Sequence, residues 1–204
     1  MCWSAEVSMN TWLLVVFAAV VAFYNKYHSI WNVLFFLSFG SMQLVEYFLW
    51  TYLKNPGLNT FFSKAGFALV ASQPLFSILQ LNGTNYLKPM LLLYSLFAAF
   101  SAYIGMNPKQ FNIDFSTTVA SNGHLLWKWL PDSKLFLVSY LILLFATPIL
   151  LGYNVTFLGG FLALIVSLYT YHKSGTWGSM WCWFSALFSI VLIGQSVVMP
   201  TSCK

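Results

Sequence analysis

The sequence is short of charge, and none of its basic residues is an arginine. Charged residues make up 6% of the 204 positions, whereas soluble domains carry about 25%. All 9 basic residues are lysines, and the formal net charge is +5. The absence of Arg argues against nucleic-acid recognition, because Arg commonly contacts base edges, and against bidentate binding of phosphate or carboxylate. We therefore expect no nucleic-acid partner, and we interpret the lysines as determinants of membrane topology.

Cysteine is also scarce, and its 3 copies, Cys2, Cys182 and Cys203, do not form a disulfide framework. Apolar residues are abundant instead, at 59% hydrophobic and 20% aromatic. This composition predicts an all-α, polytopic integral membrane bundle that contacts the lipid bilayer. The length indicates a single transmembrane domain over residues 1–204.

Seven apolar runs approach the length needed to cross a hydrocarbon core of about 30 Å. They are Thr11–Tyr24, Ser29–Leu53, Thr60–Leu81, Pro89–Met106, Leu135–Leu151, Val155–His172 and Trp181–Met199. The stretch 107–134 is long, irregular and rich in aromatic residues. We predict that it forms a structured loop or an interfacial helix over the mouth of the bundle on the N-terminal side.

The lysines are unequally distributed between the two sides that seven spans would create. The N-terminal side receives Lys54, Lys64, Lys109, Lys128, Lys134 and Lys173, and the other side receives Lys26, Lys88 and Lys204. Because cytoplasmic loops carry an excess of Lys and Arg, this distribution favours a cytoplasmic N-terminus.

Glu46 is the only acidic residue within a predicted span, and Gln43 shares its helix face. A carboxylate at mid-membrane costs about 2.5–3.5 kcal/mol on insertion scales, so Glu46 should be paired, protonated or hydrated. Intramembrane acids commonly mark ligand or ion sites, and we predict that role for both residues. The alternative is a structural hydrogen bond or ion pair, for example with Lys64.

Gln73 and Pro74 predict a polar notch in the third span. Proline removes the helical hydrogen bond to the carbonyl of Val70, which exposes a backbone acceptor. Transporters often place substrate sites at such interruptions near the bilayer midplane. The alternative is an ordinary proline kink whose free carbonyl is satisfied by neighbouring helices.

Several reactive side chains map to the N-terminal side of the bundle. The residues predicted to bind a substrate or ion are Trp3, Gln43, Glu46, Lys64, Gln73, His124 and Trp127. A metal site formed by Cys2, Cys182 and His124 is a further hypothesis, although their spacing is no known ligand signature. The alternative for His124 is interfacial hydrogen bonding, and the sequence indicates no particular cofactor.

Five short motifs resemble, in the same order, those of a family of small, uncharacterised multi-pass membrane proteins from bacteria, viruses and some microbial eukaryotes. They are Met1–Ser4, Met42–Glu46, Gln73–Phe76, Gly123–Trp127 and Trp181–Ser185. The resemblance implies a shared multi-span architecture and no established activity. It groups Cys2, Trp3, Glu46, Gln73, His124 and Cys182 as one candidate constellation. Bacterial members carry a His just before the Gln-Pro pair, where this chain has Leu69–Ser72.

Three functions are consistent with these features. The one we favour is binding or translocation of an ion or small molecule, in which case Glu46→Gln should alter flux in reconstituted vesicles. The second is a membrane enzyme acting on lipid, or a redox or metal protein, although the His-x-x-x-His pair of ceramidase-type hydrolases is absent. The third is a structural or assembly subunit of a larger complex or virion, and small residues in span six leave a homo-oligomer open.

Overall fold

The computed structural model describes residues 4–25, 29–130 and 133–198. Over these ranges the chain folds as a bundle of apolar helices joined mostly by short turns. The helices are α1 (Ala5–Tyr24), α2 (Ile30–Thr51), α3 (Pro56–Leu79), α4 (Leu87–Met106), α5 (Lys134–Leu150), α6 (Asn154–Tyr171), α7 (Trp177–Ala186) and α8 (Phe188–Val198). A short 3-10 helix (Pro108–Phe111) and two strands, β1 (Thr117–Val119) and β2 (Leu125–Trp127), lie between α4 and α5.

Polar side chains begin four of the helices. Ser4, Ser29, Asn55 and Ser133 each accept a hydrogen bond from a backbone amide in the first turn of α1, α2, α3 and α5. The third helix therefore begins at Pro56, four residues before the predicted start at Thr60. Asn55 followed by Pro56 starts the helix, because proline fits the first helical position.

Five helical segments are long and apolar enough to cross a membrane. They are α1 to α4 and the segment Trp177–Gln195, which runs from α7 into α8. Lys134–Leu150 and Phe157–Tyr171 are shorter apolar helices. Each of the seven predicted spans thus falls on helical structure, and five reach full spanning length.

The last predicted span, Trp181–Met199, differs from the structure at its start and in its middle. Its helix begins at Trp177 and is interrupted at Leu187. There the amide of Leu187 bonds to the carbonyl of Phe184, and the amide of Ile190 bonds to the carbonyl of Leu187. These bonds to the third preceding residue tighten the turn, which separates α7 from α8.

Helix α3 lies at the centre of the bundle, packing against α2, α4, α5 and strand β1. Helix α2 also packs against α1 and α7, and α6 packs against α7. One face of α3 is polar and fully buried along its length, at Asn59, Ser63, Gln73 and Ser77. Small polar residues on such a face let membrane helices approach closely and join by hydrogen bonds.

The described residues of the stretch between α4 and α5 form a structured loop with a β-hairpin, which agrees with the first of the two predicted alternatives and not with an interfacial α-helix. Strands β1 and β2 pair antiparallel, with Thr117 opposite Trp127 and Val119 opposite Leu125. The turn is closed by the amide of Ala120, which donates to the carbonyl of His124 at 2.8 Å. Gly123 has φ +79°, a conformation that glycine adopts without strain.

Candidate functional site

The hairpin is fixed to α3 by the side chain of Asn59. The amide of Thr117 donates to Asn59 Oδ1 at 2.8 Å, and Asn59 Nδ2 donates to the carbonyl of Thr117 at 3.0 Å. The asparagine amide thereby pairs with β1 as a neighbouring strand would. The hydroxyl of Thr117 also contacts Ser63 Oγ at 3.0 Å and accepts from Trp129 Nε1 at 3.1 Å. Four polar contacts thus converge on one buried threonine.

Two glycines let the hairpin approach the helices closely. A Cβ atom at Gly66 of α3 would lie 2.9 Å from the ring of Trp129, and one at Gly178 of α7 would lie 3.2 Å from the ring of Trp127. The two indoles stack on each other with their centroids 4.8 Å apart. Trp129 therefore packs closely on α3, and Trp127 packs closely on α7.

The tip of the hairpin is attached to the turn between α6 and α7. Asn122 Nδ2 donates to Ser174 Oγ at 2.9 Å and to Thr176 Oγ1 at 3.0 Å. The ring of His124 packs edge-on against Tyr171, with centroids 5.4 Å apart. Because it is held at both ends, the hairpin bridges α3 and the end of α6.

Beneath this bridge lies a cavity of about 620 Å³, bounded by β2, α5, α6 and α7. Apolar residues such as Leu137, Leu141, Leu164 and Leu168 form much of its wall. Ligand pockets in proteins commonly measure about 300–1,000 Å³ and are mostly apolar with a few polar groups. The cavity has the size and the character of such a pocket.

The cavity lining also contains polar residues, one of them a lysine. Asn112, Lys128 and His172 line it from the loops and from the end of α6, and Tyr140 and Cys182 line it from within the helices. The described residues that line it include no Asp or Glu. Its ionisable groups therefore favour an acceptor-rich or negatively charged ligand.

Trp127 is a buried aromatic residue of the cavity wall. Its side chain lines the wall and is 5% exposed. Its Nε1 is buried and has no hydrogen-bond partner among the described residues. A buried polar group without a partner carries a desolvation penalty of about 1–3 kcal/mol.

Glu46 lies in a different, closed environment. Its side chain is 0% exposed. Gln43 Nε2 donates to one carboxylate oxygen at 3.1 Å, and Ser179 Oγ donates to the other at 2.5 Å. The carboxylate therefore joins α2 to α7, and its hydrogen bonds offset part of the cost of burial.

Gln73 makes a second buried junction. Its Oε1 accepts a hydrogen bond from Tyr140 OH at 2.5 Å, and its Nε2 donates to the carbonyl of Ser38 at 3.5 Å. These bonds tie α3 to α5 and α2. Because Tyr140 and Val70 both line the cavity, the predicted notch around Gln73 and Pro74 lies next to it.

A third junction satisfies a carbonyl that a proline leaves free. Pro148 in α5 has no amide hydrogen to donate to Leu144, four residues earlier. Ser77 Oγ donates to that carbonyl instead, at 2.9 Å. We call the buried polar set that links the helices through α2 and α3 the polar seam. It comprises Gln43, Glu46, Asn59, Ser63, Gln73 and Ser77.

The predicted site residues thus separate into several groups. Gln43 and Glu46 are together, Gln73 makes its own junction, and Trp127 and Cys182 line the cavity. Lys64 and His124 lie elsewhere. Lys64 is exposed, with its ammonium 5.7 Å from the ring centroid of Phe115, and His124 packs on Tyr171. Trp3 and Cys2 lie outside the described residues.

The metal hypothesis stays a prediction, because Cys2 lies outside the described residues. Within residues 4–25, 29–130 and 133–198, no three His, Cys, Asp or Glu residues come together in a way that would hold a metal ion. Cys182 is a free, buried thiol there.

Sequence reasoning missed the polar partners that complete these sites. They include Asn59, Thr117, Tyr140 and Ser179. Asn59 and Thr117 are 58 positions apart, and Glu46 and Ser179 are 133 apart. The available signal was the polar stripe of α3, which recurs at helical spacing from Asn59 to Ser77.

Comparison of the chain with protein-family models, with curated proteins and with solved structures finds no match in any of the three. The resemblance to the multi-pass family therefore depends on the short motifs quoted above.

Proposed function

We propose that this chain is an integral membrane protein that binds a small molecule in the cavity beneath its β-hairpin. The observation that carries the proposal is the mostly apolar cavity of about 620 Å³, whose lining also includes Trp127, Lys128 and His172. A mostly apolar pocket with a few convergent polar groups is the preferred location for ligands in proteins.

Placement in a membrane is supported by the outward faces of the helices. Large apolar side chains are exposed along α4, α5 and α6, for example Leu92, Leu96, Ile142 and Leu158. Exposed apolar surface of this extent is unfavourable in water and favourable in lipid. The excess of lysines in the loops beside the hairpin favours a cytoplasmic location for this end.

The burial of Glu46 supports a structural role for this residue. A carboxylate that is 0% exposed and hydrogen-bonded to Gln43 and Ser179 is typical of a polar contact between helices and not of an open ion site. We therefore place the binding site in the cavity and not at Glu46. Translocation remains a separate prediction, to be tested by the flux of Glu46→Gln vesicles.

The binding proposal is tested with a pair of double variants on α6. Leu164 and Leu168 line the cavity one turn apart, so Leu164→Trp with Leu168→Trp should occupy part of it. Leu162 and Val166 are 58% and 47% exposed on the same helix, so tryptophans there form a matched control. The measurement is native mass spectrometry of the detergent-purified chain with added phosphatidylglycerol and phosphatidylcholine.

We expect the cavity-filling variant to lose at least one resolved lipid adduct that the wild-type protein and the control variant both retain. Equal adducts in all three proteins would contradict the proposal, because binding would then be independent of the cavity.

A further inference from the structure

We propose that the ligand is an anionic membrane lipid, whose headgroup binds at the hairpin end of the cavity and whose acyl chain lies along α5, α6 and α7. This inference rests on the proposed function and adds the chemical class of the ligand.

The polar residues around the opening of the cavity indicate that the ligand carries a negative charge. Lys128 places an ammonium there, with 40% of its side chain exposed. Asn112 and His172 are further polar residues of the lining near the loops. Because no carboxylate lies among the described lining residues, a phosphate headgroup would meet donors and one positive charge.

Helix α7 adds to this electrostatic preference. Its first residues, Trp177 and Gly178, line the cavity together with Gly175. At this end of α7, the amide of Met180 donates to the carbonyl of Thr176, four residues earlier. The positive end of the helix dipole therefore lies at the opening, where it favours an anion.

The apolar part of the ligand follows from the depth of the cavity. Along α6 the lining runs from His172 through Leu168 to Leu164, which corresponds to about 12 Å of helix rise. One leaflet of the hydrocarbon core is about 15 Å thick. Leu137 and Leu141 line the facing part of α5. The cavity is therefore polar at the membrane surface and apolar through most of one leaflet, as an acyl lipid is.

Asp114 allows a second test, in which a substitution should strengthen lipid binding and not weaken it. Its carboxylate lies 3.7 Å from the ammonium of Lys128, and both side chains are substantially exposed. The carboxylate therefore competes with a headgroup for the same ammonium. Since exposed ion pairs are weak, removing this competitor should strengthen binding of an anionic lipid by about two- to fivefold.

The experiment measures dissociation constants of phosphatidylglycerol and phosphatidylcholine with matched acyl chains, using the full chain in detergent and native mass spectrometry. We expect the wild-type protein to bind phosphatidylglycerol about fivefold more tightly, the contribution of one basic residue near a lipid surface. Lys128→Gln should abolish this preference, Lys128→Arg should retain it, and Asp114→Asn should increase it.

Lys109→Gln is the matched control, because Lys109 is an exposed lysine of the same loop that does not line the cavity. We expect it to retain the preference for phosphatidylglycerol. A preference that survives Lys128→Gln, or that Lys109→Gln removes equally, would overturn the inference.

Lipid binding by the Leu164→Trp/Leu168→Trp variant distinguishes the charge inference from the proposed function. If both lipids bind with equal affinity and both are displaced by the Leu164→Trp/Leu168→Trp variant, the charge inference is overturned and cavity binding stands. If that variant leaves both lipids bound, both proposals are overturned.

Discussion

The polar seam and the cavity both contact helix α7 and differ in whether their polar residues are packed between helices or border empty volume. Ser179 of α7 donates to Glu46 in the seam, whereas Gly178 and Cys182 of α7 line the cavity. In the seam, Glu46 and Gln73 have hydrogen-bond partners on neighbouring helices. In the cavity, the indole N–H of Trp127 has none within the described chain.

A polar residue within an apolar helix does not by itself mark a binding site. A buried polar group that is hydrogen-bonded to neighbouring helices joins them, whereas polar residues that border an apolar cavity can contact a ligand. Variants of the seam should therefore change stability without changing affinity, and variants of the cavity should do the reverse.

The largest effect on stability is expected from Asn59→Ala. The substitution removes both hydrogen bonds to the backbone of Thr117 and leaves a buried amide and carbonyl without partners. The free energy of unfolding should fall by about 3 kcal/mol, since each such group costs about 1–3 kcal/mol. Denaturant unfolding in detergent measures it, with Asn107→Ala as control, because the Asn107 side chain bond is exposed. Equal stability of the two variants would contradict the anchoring role of Asn59.

Glu46→Ala should lower the free energy of unfolding by about 2 kcal/mol, because it leaves the buried donors of Gln43 and Ser179 without their acceptor. Glu46→Gln should cost less, since one carboxamide oxygen still accepts. Neither variant should alter the dissociation constant for phosphatidylglycerol. If Glu46→Gln removed binding while stability was unchanged, Glu46 would belong to the ligand site, as the sequence predicted.

Tyr140→Phe tests the seam and the cavity together, because Tyr140 bonds to Gln73 in the polar seam and also lines the cavity. Losing its hydroxyl should lower the free energy of unfolding by about 1 kcal/mol, the usual scale for a hydrogen bond between membrane helices. Lipid affinity should stay within about twofold of wild type. Thermal unfolding and native mass spectrometry of one preparation measure both quantities, and a loss of affinity at full stability would move Tyr140 into the binding site.

The smallest effect on stability is expected from Trp127→Phe, within about 0.5 kcal/mol, because it removes an N–H that has no partner in the described structure. Affinity for phosphatidylglycerol should nevertheless fall by about twofold, because Trp127 lines the cavity and the substitution changes its wall. The neighbouring Trp129→Phe is the control, since its indole donates to Thr117, and it should cost about 1 kcal/mol of stability. A Trp127→Phe variant with wild-type affinity would show that Trp127 contacts no ligand.

The helical bundle could be predicted from sequence because apolar runs separated by polar turns determine where helices lie. All seven runs overlap helices, although the first begins earlier, at Ala5, the third begins at Pro56, and the last begins at Trp177 and is interrupted at Leu187. The hairpin was not predicted, because its strands have three residues each and show no alternation long enough to recognise.

The candidate site was predictable in part. The sequence identified Glu46, Gln73 and Trp127 as polar or aromatic residues in unusual positions. It did not show that the first two are satisfied and that the indole N–H of the third is not, because their surroundings come from helices far away in the chain. Ser179, which bonds Glu46, is 133 positions from it.

The most direct test of the account is to locate the bound lipid by photo-crosslinking. Phosphatidylglycerol with a diazirine on its acyl chain would be bound to the full chain, irradiated, and mapped by peptide mass spectrometry. We predict adducts concentrated at residues 137–141 and 164–182, which line the cavity, and their loss in the Leu164→Trp/Leu168→Trp variant. Adducts of equal yield on the exposed leucines of α4, such as Leu92 and Leu96, would contradict it.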